Sequence, residues 1–274
     1  MRFDNHLHTP LCGHAFGHPE AYVRKAAENG IKLITFSCHI PMKERDFGQT
    51  GVRMRESELD EYVEMVGQAR ELGVELGVEV LTGIEAEVFP DRDIMRRMDE
   101  TLDREGFDFI LGSLHHQMSI YRKWLSQNGK ESDFDIVESY FAHLTIGASS
   151  GRYHSMSHPD VIRLYGTLNT RFDPAPHEAS IRTFLQAAHD ANVCLEVNTS
   201  GLNKGDFVFH PDPLILGWAV EHETRFTLGS DAHAPEQVGQ HFDRVLNELK
   251  SHGIHQLHYF RRGERMEVPI DEML

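Results

Sequence analysis

Short runs of β-forming residues alternate along the chain with longer amphipathic segments, and this alternation restricts the possible folds more than any other feature. Seven such runs occur, at residues 3–8, 33–39, 78–87, 107–116, 153–158, 193–200 and 225–231. Alternating strands and helices predict a parallel sheet covered by helices. Because no break in composition divides the 274 residues, we predict a single α/β domain over residues 1–274, built as a closed or nearly closed barrel.

The connecting segments carry signals for helix ends and turns. The sequence SELDEYVEMVGQAREL predicts a helix that has Ser57 as its N-cap and ends before Gly73. The tail sequence YFRRGERMEV predicts a hairpin that turns at Gly263. The other segments are predicted as a helix at 19–29 and as loops at 43–55 and 202–213. Loops over the mouth of a barrel usually shape a substrate pocket.

Composition excludes several classes of protein. The formal net charge of −16 argues against a general nucleic-acid binder, which needs a basic patch to neutralise phosphates. No apolar stretch approaches the roughly 18 residues of a membrane span, and the segment MRFDNHLHTP lacks the features of a signal peptide. Three scattered cysteines, Cys12, Cys38 and Cys194, do not suggest a disulfide framework. We therefore expect a cytoplasmic protein with neither nucleic-acid nor membrane partners.

Histidine is abundant, with 19 residues, and many of them lie at the ends of predicted strands. His6 and His8 are two residues apart, so both rings point to the same side of a strand. Asp231 and His233 repeat this spacing, and Glu85 follows the apolar run VLTGI. Other strand ends carry Glu87, His39, His115, His116 and His158. Because active sites collect at the carboxyl ends of barrel strands, we predict one shared metal site, suited to zinc, manganese or iron.

Most of the remaining histidines are predicted to have no role as ligands. Positions on helix surfaces or in the tail are His143, His189, His222, His252, His255 and His258. For His116, His154 and His210, the sequence leaves open whether they support the metal ligands or contact the substrate.

The order of several motifs resembles the polymerase and histidinol phosphatase (PHP) family. The motifs are HLHTP, CGH, SCHIP, GIEAE, GSLHH, SHPD, VNTSG and GSDAH, and they extend from about residue 3 to residue 245. The length and the VNTSGL segment are most similar to the stand-alone histidinol-phosphate phosphatases of this family. The resemblance implies a distorted (β/α)7 barrel of the TIM type with a trinuclear metal site.

The resemblance also implies which residues bind the metal ions. One ion would bind His6, His8, Glu85 and Asp231. A second ion would share Glu85 and add His115 and His158, and a third would bind His14, His39 and His233. His115 is preferred to His116 because it follows the strand and its GS pair at the family's position. Among these residues we expect Glu85, Asp231 and His233 to be catalytic.

One position departs from this pattern. The subgroup commonly carries Asp or Glu immediately before the histidine of the second strand, whereas this chain has Cys38. A carboxylate there would orient His39, which a cysteine does poorly, so the third metal site is the one in doubt. The alternative is that Cys38 is simply a small buried residue.

The chemistry implied is hydrolysis of a small phosphoester with two or three divalent ions, which activate water and neutralise developing charge. Only Glu85 and Asp231 bring negative charge among the ligands, so the metal-loaded pocket would be positive within an acidic chain. Arg163 and Lys204 are candidate substrate-binding residues for the phosphate. The alternative is that both are solvated surface residues.

Three other functions remain as alternatives. Amidohydrolase barrels also begin with an H-x-H motif, but their sites often carry a bridging lysine where this chain offers Glu85, and here His233 follows Asp231. A phosphodiesterase or nuclease of the same family would need a basic, aromatic-lined groove, which the acidic balance disfavours. A third alternative is a metal-binding protein that has lost turnover, for which Cys38 is the only indication.

The substrate implied by the resemblance is histidinol phosphate, hydrolysed to histidinol and phosphate in histidine biosynthesis. We expect carboxylates on mouth loops, such as Asp206 and Asp212, to favour its cationic end. Glu85→Gln is expected to damage turnover severely and Glu87→Gln only mildly, because Glu85 alone is shared between two ions. The sequence leaves the oligomeric state open.

Overall fold

The computed structural model describes residues 1–43, 52–205 and 207–274. The predicted loop at 43–55 therefore lies partly outside the described residues. Asp206, expected to steer the substrate, also lies outside them.

All seven predicted strands are present, and each lies within its predicted run. They are β1 (Phe3–Leu7), β2 (Leu33–Phe36), β3 (Glu79–Glu87), β4 (Phe109–Ser113), β5 (Ser155–Met156), β6 (Cys194–Asn198) and β7 (Phe226–Gly229). The strands are parallel and neighbour one another in chain order. Beyond β7, Ala232 continues the pairing with β1, since its carbonyl accepts the backbone N–H of His8 at 2.9 Å. The predicted α/β barrel of seven strands, nearly closed, is therefore confirmed.

Helices fill every connection between consecutive strands, as expected for parallel strands. In the described ranges they are α1 (Pro19–Glu28), α2 (Leu59–Leu76), α3 (Arg92–Glu105), α4 (Ser119–Gln127), α5 (Asp133–Ser149), α6 (Glu178–Asp190), α7 (Pro213–Glu221) and α8 (Phe242–Ser251). The connection from β4 to β5 contains two of them. Within the described part of the chain, no helix combines the length and apolar character needed to cross a membrane.

Helix α2 differs at both ends from the sequence prediction. Ser57 is not its N-cap, because a 3-10 turn precedes the helix and the Glu58 carboxylate accepts the backbone N–H of Arg55 at 2.6 Å. The helix also continues through Gly73 and ends at Gly77, which has a φ of 68°. Gly73 serves packing rather than termination, because a Cβ atom there would overlap the carbonyl oxygen of Val78.

The predicted tail hairpin is confirmed and covers one end of the barrel. It consists of β8 (Gln256–Arg261) and β9 (Glu264–Pro269). The two turn residues, Arg262 and Gly263, have φ angles of 50° and 76°, as a tight two-residue turn between antiparallel strands requires. The ring of Phe260 stacks on Phe109 at the start of β4, with ring centroids 5.0 Å apart. The hairpin therefore closes the amino end of the barrel and leaves the carboxyl end of the strands for a site.

Candidate metal centre

Four predicted ligands converge at the carboxyl end of the barrel, where β1, β3 and β7 lie close together. The Nε2 atoms of His6 and His8 are 3.1 Å apart, so the two rings share a side as the strand period predicts. Asp231 Oδ1 lies 3.1 Å from His8 Nε2, and Glu85 Oε2 lies 3.6 Å from His6 Nε2. The first predicted set of ligands is therefore brought together.

The other carboxylate oxygen of Glu85 faces a second group. Its Oε1 atom lies 3.1 Å from His158 Nε2 and 3.5 Å from His115 Nε2. Ser113 donates a hydrogen bond to the same oxygen at 2.6 Å and so holds the carboxylate in place. Glu85 thus lies between two groups of imidazoles, with one oxygen directed at each.

The predicted third group is brought together less tightly. His14 and His233 approach each other, with their Nε2 atoms 3.0 Å apart. The ring of His39 is centred 5.4 Å from His14 and 6.4 Å from His233. Its Nδ1 atom lies 2.6 Å from Glu85 Oε2. His39 therefore lies between the first group and the His14–His233 pair.

The charges in this cluster fit bound cations. Burial opposes ionisation of Glu85, but His39, His115 and His6 hold the pKa of its carboxyl well below the ordinary range. Within the described residues, Glu85 Oε2 nevertheless accepts no hydrogen bond, and the approach of His39 Nδ1 at 2.6 Å lacks hydrogen-bond geometry. A buried anionic oxygen surrounded by imidazole nitrogens needs a positive partner. Divalent metal ions with nitrogen and oxygen ligands satisfy that need.

Glu196 supports the first group and was missed by sequence reasoning. Its Oε1 atom lies 2.7 Å from Nδ1 of His6, on the opposite side of the ring from Nε2. Its Oε2 atom accepts the backbone N–H of His158 at 2.9 Å. A carboxylate in this position fixes the orientation of a metal-binding imidazole. The available signal was a charged residue within the otherwise apolar run VCLEV, since Glu196 is fully buried in β6.

Glu87 supports the second group in the same way. Its Oε1 atom lies 2.5 Å from Nδ1 of His115, which leaves His115 Nε2 directed at Glu85. The Arg53 side chain pairs with the same carboxylate. These contacts argue against a mild effect of Glu87→Gln, because loss of the supporting carboxylate would loosen His115.

The choice of His115 over His116 agrees with the geometry. The Nδ1 atom of His116 lies 2.6 Å from Thr167 Oγ1, and its Nε2 atom lies 3.0 Å from the carbonyl oxygen of Val161. Both ring nitrogens therefore have partners in the chain, whereas Nε2 of His115 faces Glu85.

Three other histidines contact groups outside the proposed set of metal ligands. His154 lies at the opposite end of the barrel, beside Phe260 of the hairpin. Nδ1 of His210 lies 2.5 Å from Asp160 Oδ1, a buried carboxylate that the sequence did not single out. His143, expected on a helix surface, is buried instead, with Nδ1 at 2.6 Å from the carbonyl oxygen of Ser139. Its helix, α5, is buried on more than one side, since Tyr140, Phe141 and Leu144 are fully buried as well.

A cavity of about 380 Å³ opens above the ligand cluster, and its described lining includes the lysine Lys204. Lys204 donates a hydrogen bond to Ser200 at 3.0 Å, and its Nζ atom lies 3.7 Å from Asp231 Oδ2. Burial disfavours its charge, but Asp231 raises the pKa of the amine above its ordinary value. Lys204 therefore presents a positive charge to the cavity.

Arg163 is placed differently from Lys204. Its guanidinium pairs with Asp160 at 2.6 Å and donates to the carbonyl oxygen of Phe209 at 3.1 Å. It belongs to a separate surface pocket and not to the lining of the cavity above the ligands. These contacts hold the loop after β6 in place, and we retain Lys204 alone as the candidate phosphate ligand.

Cys38 is buried close to the first group. Its sulfur accepts a hydrogen bond from Thr9 Oγ1 at 3.5 Å. A ring nitrogen of His8 and the sulfur of Cys12 lie within 4.8 Å of it and of each other. Cys38 is therefore a fully buried residue beside His8.

The fold and the site together define a class of protein. It is an α/β barrel whose strand ends bring histidines and two ionised carboxylates into one cluster, beside a cavity with a cationic wall. This arrangement suits a metal-dependent hydrolase of an anionic substrate.

Comparison with known sequences identifies the family within that class. The sequence profile of the PHP domain matches residues 4–200, and the chain belongs to this family. It is 30% identical over 257 residues to a "Probable histidinol-phosphatase" of Deinococcus radiodurans, with 91% of this chain and 93% of the relative covered. It is 24% identical to the "Histidinol-phosphatase" of Bacillus subtilis, with 89% and 97% covered.

A solved structure has the same fold. The histidinol phosphate phosphatase of Lactococcus lactis, crystallised with zinc, L-histidinol and phosphate, superposes with a TM-score of 0.77. The superposition covers 97% of this chain and 98% of that protein, at 20% sequence identity. The similarity confirms the predicted distorted (β/α)7 barrel.

Proposed function

We propose that this protein is a metal-dependent phosphomonoesterase that hydrolyses L-histidinol phosphate to L-histidinol and phosphate, a reaction of histidine biosynthesis. The observation that carries the proposal is the position of Glu85, whose two carboxylate oxygens face two different groups of imidazoles. The names of relatives that align with nearly the whole chain support the same activity.

The proposed cofactors are two or three divalent ions of zinc, manganese or iron, the metals that mixed imidazole and carboxylate sites accept. We assign the first ion to His6, His8, Glu85 and Asp231, the second to Glu85, His115 and His158, and the third to His14, His39 and His233. When bound, such ions lower the pKa of water, orient the phosphate oxygens and neutralise charge that develops during the reaction.

Burial opposes protonation of His6 and His8, but Glu196 and Asp231, respectively, raise the pKa of these two rings above the ordinary value, so a bound ion would displace a proton from each. His115 and His233, by contrast, are suited to a role as neutral ligands. Burial lowers the pKa of His115 to about 3 and that of His233 to about 3, so both rings keep a free electron pair at neutral pH. For Asp231, burial opposes ionisation, but His6 and Lys204 hold the pKa of the carboxyl well below its ordinary range. We therefore propose that Glu85, Asp231 and His233 act in catalysis as ligands at the reacting phosphate, and not as proton donors.

Lys204 is proposed to bind a phosphate oxygen on the open side of the centre. Its amine is fixed by Ser200, which itself donates to Asp231 Oδ2 at 2.9 Å. This chain of contacts connects the phosphate-binding cation to a proposed metal ligand. The phosphate would therefore be held from two sides, in an orientation that favours attack by water.

The surroundings of the leaving group differ from the expectation. Asp212, expected to favour a cationic substrate, instead caps α7 by accepting the backbone N–H of Leu214 at 2.9 Å. The described part of the cavity wall is lined by the amides of Gln117, Asn203, Gln237 and Gln240. We propose that these amides face the amine and imidazole of the substrate.

A substrate panel tests the proposal. Values of kcat/KM would be compared for histidinol phosphate, p-nitrophenyl phosphate, glycerol phosphate, nucleoside monophosphates and a cyclic phosphodiester at identical metal loading. We expect histidinol phosphate to lead by at least about tenfold, which is about 1.4 kcal/mol of transition-state binding. A tenfold preference for a nucleotide or a diester would contradict the substrate while leaving the metal-dependent hydrolase in place.

A further inference from the structure

One arginine from the segment before α2 reaches into the barrel beside the ligand cluster. The side chain of Arg53 is only 5% exposed and forms an ion pair with Glu87, which is fully buried. Its Nη2 atom also lies 3.4 Å from Nδ1 of His115. Three side chains from separate parts of the chain therefore meet at one point behind the second group of ligands.

The carboxylate of Glu87 connects the other two residues. Its Oε1 atom faces both the Arg53 guanidinium and, at 2.5 Å, Nδ1 of His115. Its Oε2 atom accepts the backbone N–H of His115 at 3.3 Å. His115 is thus held at its ring and at its backbone by one carboxylate, and that carboxylate is held by Arg53.

We propose that Arg53 is a positioning residue for the metal site formed by Glu85, His115 and His158. Its charge balances that of Glu87, so the buried carboxylate stays in place and keeps Nδ1 of His115 engaged. Nε2 of His115 then remains directed at Glu85 Oε1, 3.5 Å away, so that both atoms are available to the same ion. The inference rests on the metal centre of the proposed function but not on its substrate.

Loss of Arg53 should disturb this site because a buried ion pair is more sensitive to the loss of one partner than to the loss of both. Removing one partner leaves an uncompensated charge in the interior, whereas removing both is tolerated far better. Without Arg53, Glu87 would move toward water or another donor, and His115 would lose the support that fixes its ring. Metal affinity depends on such supporting contacts and typically falls 10- to 100-fold when they are removed.

The chain provides a matched control two residues away. Arg55 has a side chain that is 71% exposed, and it pairs with Glu58 at 3.9 Å at the start of α2. Arg53 and Arg55 therefore belong to the same segment and both pair with a glutamate, but only Arg53 contacts the ligand cluster. A general disturbance of this segment would affect both variants, while the proposed role affects one.

The proposal can be tested without any substrate. The chelator-treated protein is titrated with Co²⁺, and binding is measured by visible absorbance. Arg53→Gln should weaken the binding of one cobalt ion at least about tenfold. Arg53→Lys, which keeps the charge, should recover most of the affinity, and Arg55→Gln should match the unmodified protein. A folded Arg53→Gln variant that binds all its cobalt with unchanged affinity would overturn the proposal.

A double variant tests whether Arg53 acts through Glu87, and it also serves if Arg53→Gln does not fold. Arg53→Gln/Glu87→Gln contains neither charge, so it leaves no unpaired ion. Its cobalt affinity should lie within about threefold of that of Glu87→Gln alone, because effects on one shared contact are not additive. A further tenfold loss in the double variant would show that Arg53 acts independently of Glu87, against the proposal. Failure of the phosphatase assignment would leave these titrations unchanged.

Discussion

The two ends of the barrel can be compared because each places histidine among the strand ends. At the closed end, His154 accepts the backbone N–H of Ile110 at 2.9 Å, and its ring is centred 5.1 Å from Phe260. At the open end, the Nε2 atoms of His6 and His8 face each other at 3.1 Å, and both lie close to Glu85. The histidine of the closed end thus accepts a backbone hydrogen bond, whereas those of the open end direct Nε2 atoms at each other and at carboxylates.

The difference shows where the molecule is built for stability and where it is built for chemistry. At the closed end, polar groups are paired and aromatic rings are packed, which lowers the free energy of the folded state. At the open end, ionised carboxylates and imidazoles are held together in a geometry that the chain alone does not satisfy. In barrels of parallel strands, stability and catalysis are commonly divided between the two ends in this way.

Metal removal should have the largest effect, and it should affect only the open end. Protein purified without chelator should contain two to three transition-metal ions per chain by elemental analysis. Chelation should abolish turnover and metal return should restore it, because the proposed ions would activate the attacking water and neutralise developing charge. Near-ultraviolet circular dichroism should show that the aromatic packing of the hairpin end persists. Folded, active protein without metal would refute the assignment of the open end as a catalytic metal centre.

Two glutamates near opposite ends of β3 provide the next test. Glu85→Gln should reduce kcat for p-nitrophenyl phosphate by roughly two to three orders of magnitude, because it weakens two proposed metal sites at once. Glu79, at the start of the same strand, pairs with Arg261 of the hairpin at 2.5 Å. Glu79→Gln should leave kcat within about twofold and change only stability, by about 1 kcal/mol or less. Equal losses of turnover would remove the distinction between the ends.

The supporting carboxylate Glu196 should have an intermediate effect. Glu196→Gln leaves the ligands of the first group in place but weakens the contact that orients His6. Metal affinity of that group should fall about 10- to 100-fold, measurable by calorimetric titration of the chelator-treated protein. High metal concentration should restore much of the turnover, since the ligands themselves remain. Loss of turnover that excess metal does not rescue would instead assign Glu196 a direct catalytic role.

The smallest expected effect is the pH dependence of stability at the closed end. Burial lowers the pKa of His154 to about 4, so the unfolded chain, with an ordinary value of 6.5, binds more protons between these limits. Stability from the neutral ring is therefore complete above pH 6.5 and is lost as pH falls toward 4, by at most about 1.4 kcal/mol per pH unit. His154→Asn keeps a hydrogen-bond acceptor but does not titrate. Urea unfolding at pH 7 and 5 should show a smaller loss in this variant, and an equal loss would contradict the lowered pKa of His154.

Local regularities made much of this structure predictable. The period of two along a strand placed His6 and His8 on one side, and the same spacing identified Asp231 and His233. Strand–helix alternation predicted the barrel, and parallel strands bring their carboxyl ends together. Each of these inferences depends on residues that are close in sequence. The carboxyl end of α2 was predicted wrongly because the packing of Gly73 against Val78 outweighs its usual role as a helix terminator.

By itself, the sequence determined the fold class, the end of the barrel that carries the site and most of the candidate ligands. Only the tertiary structure decided which polar groups support those ligands. Glu196 meets His6 across 190 residues, and Arg53 meets Glu87 across 34. It also decided that Arg163 pairs with Asp160 instead of lining the cavity. Such pairings depend on how the barrel closes and on which buried charges compete for the same partner. The spacing of residues along the sequence predicts neither of these.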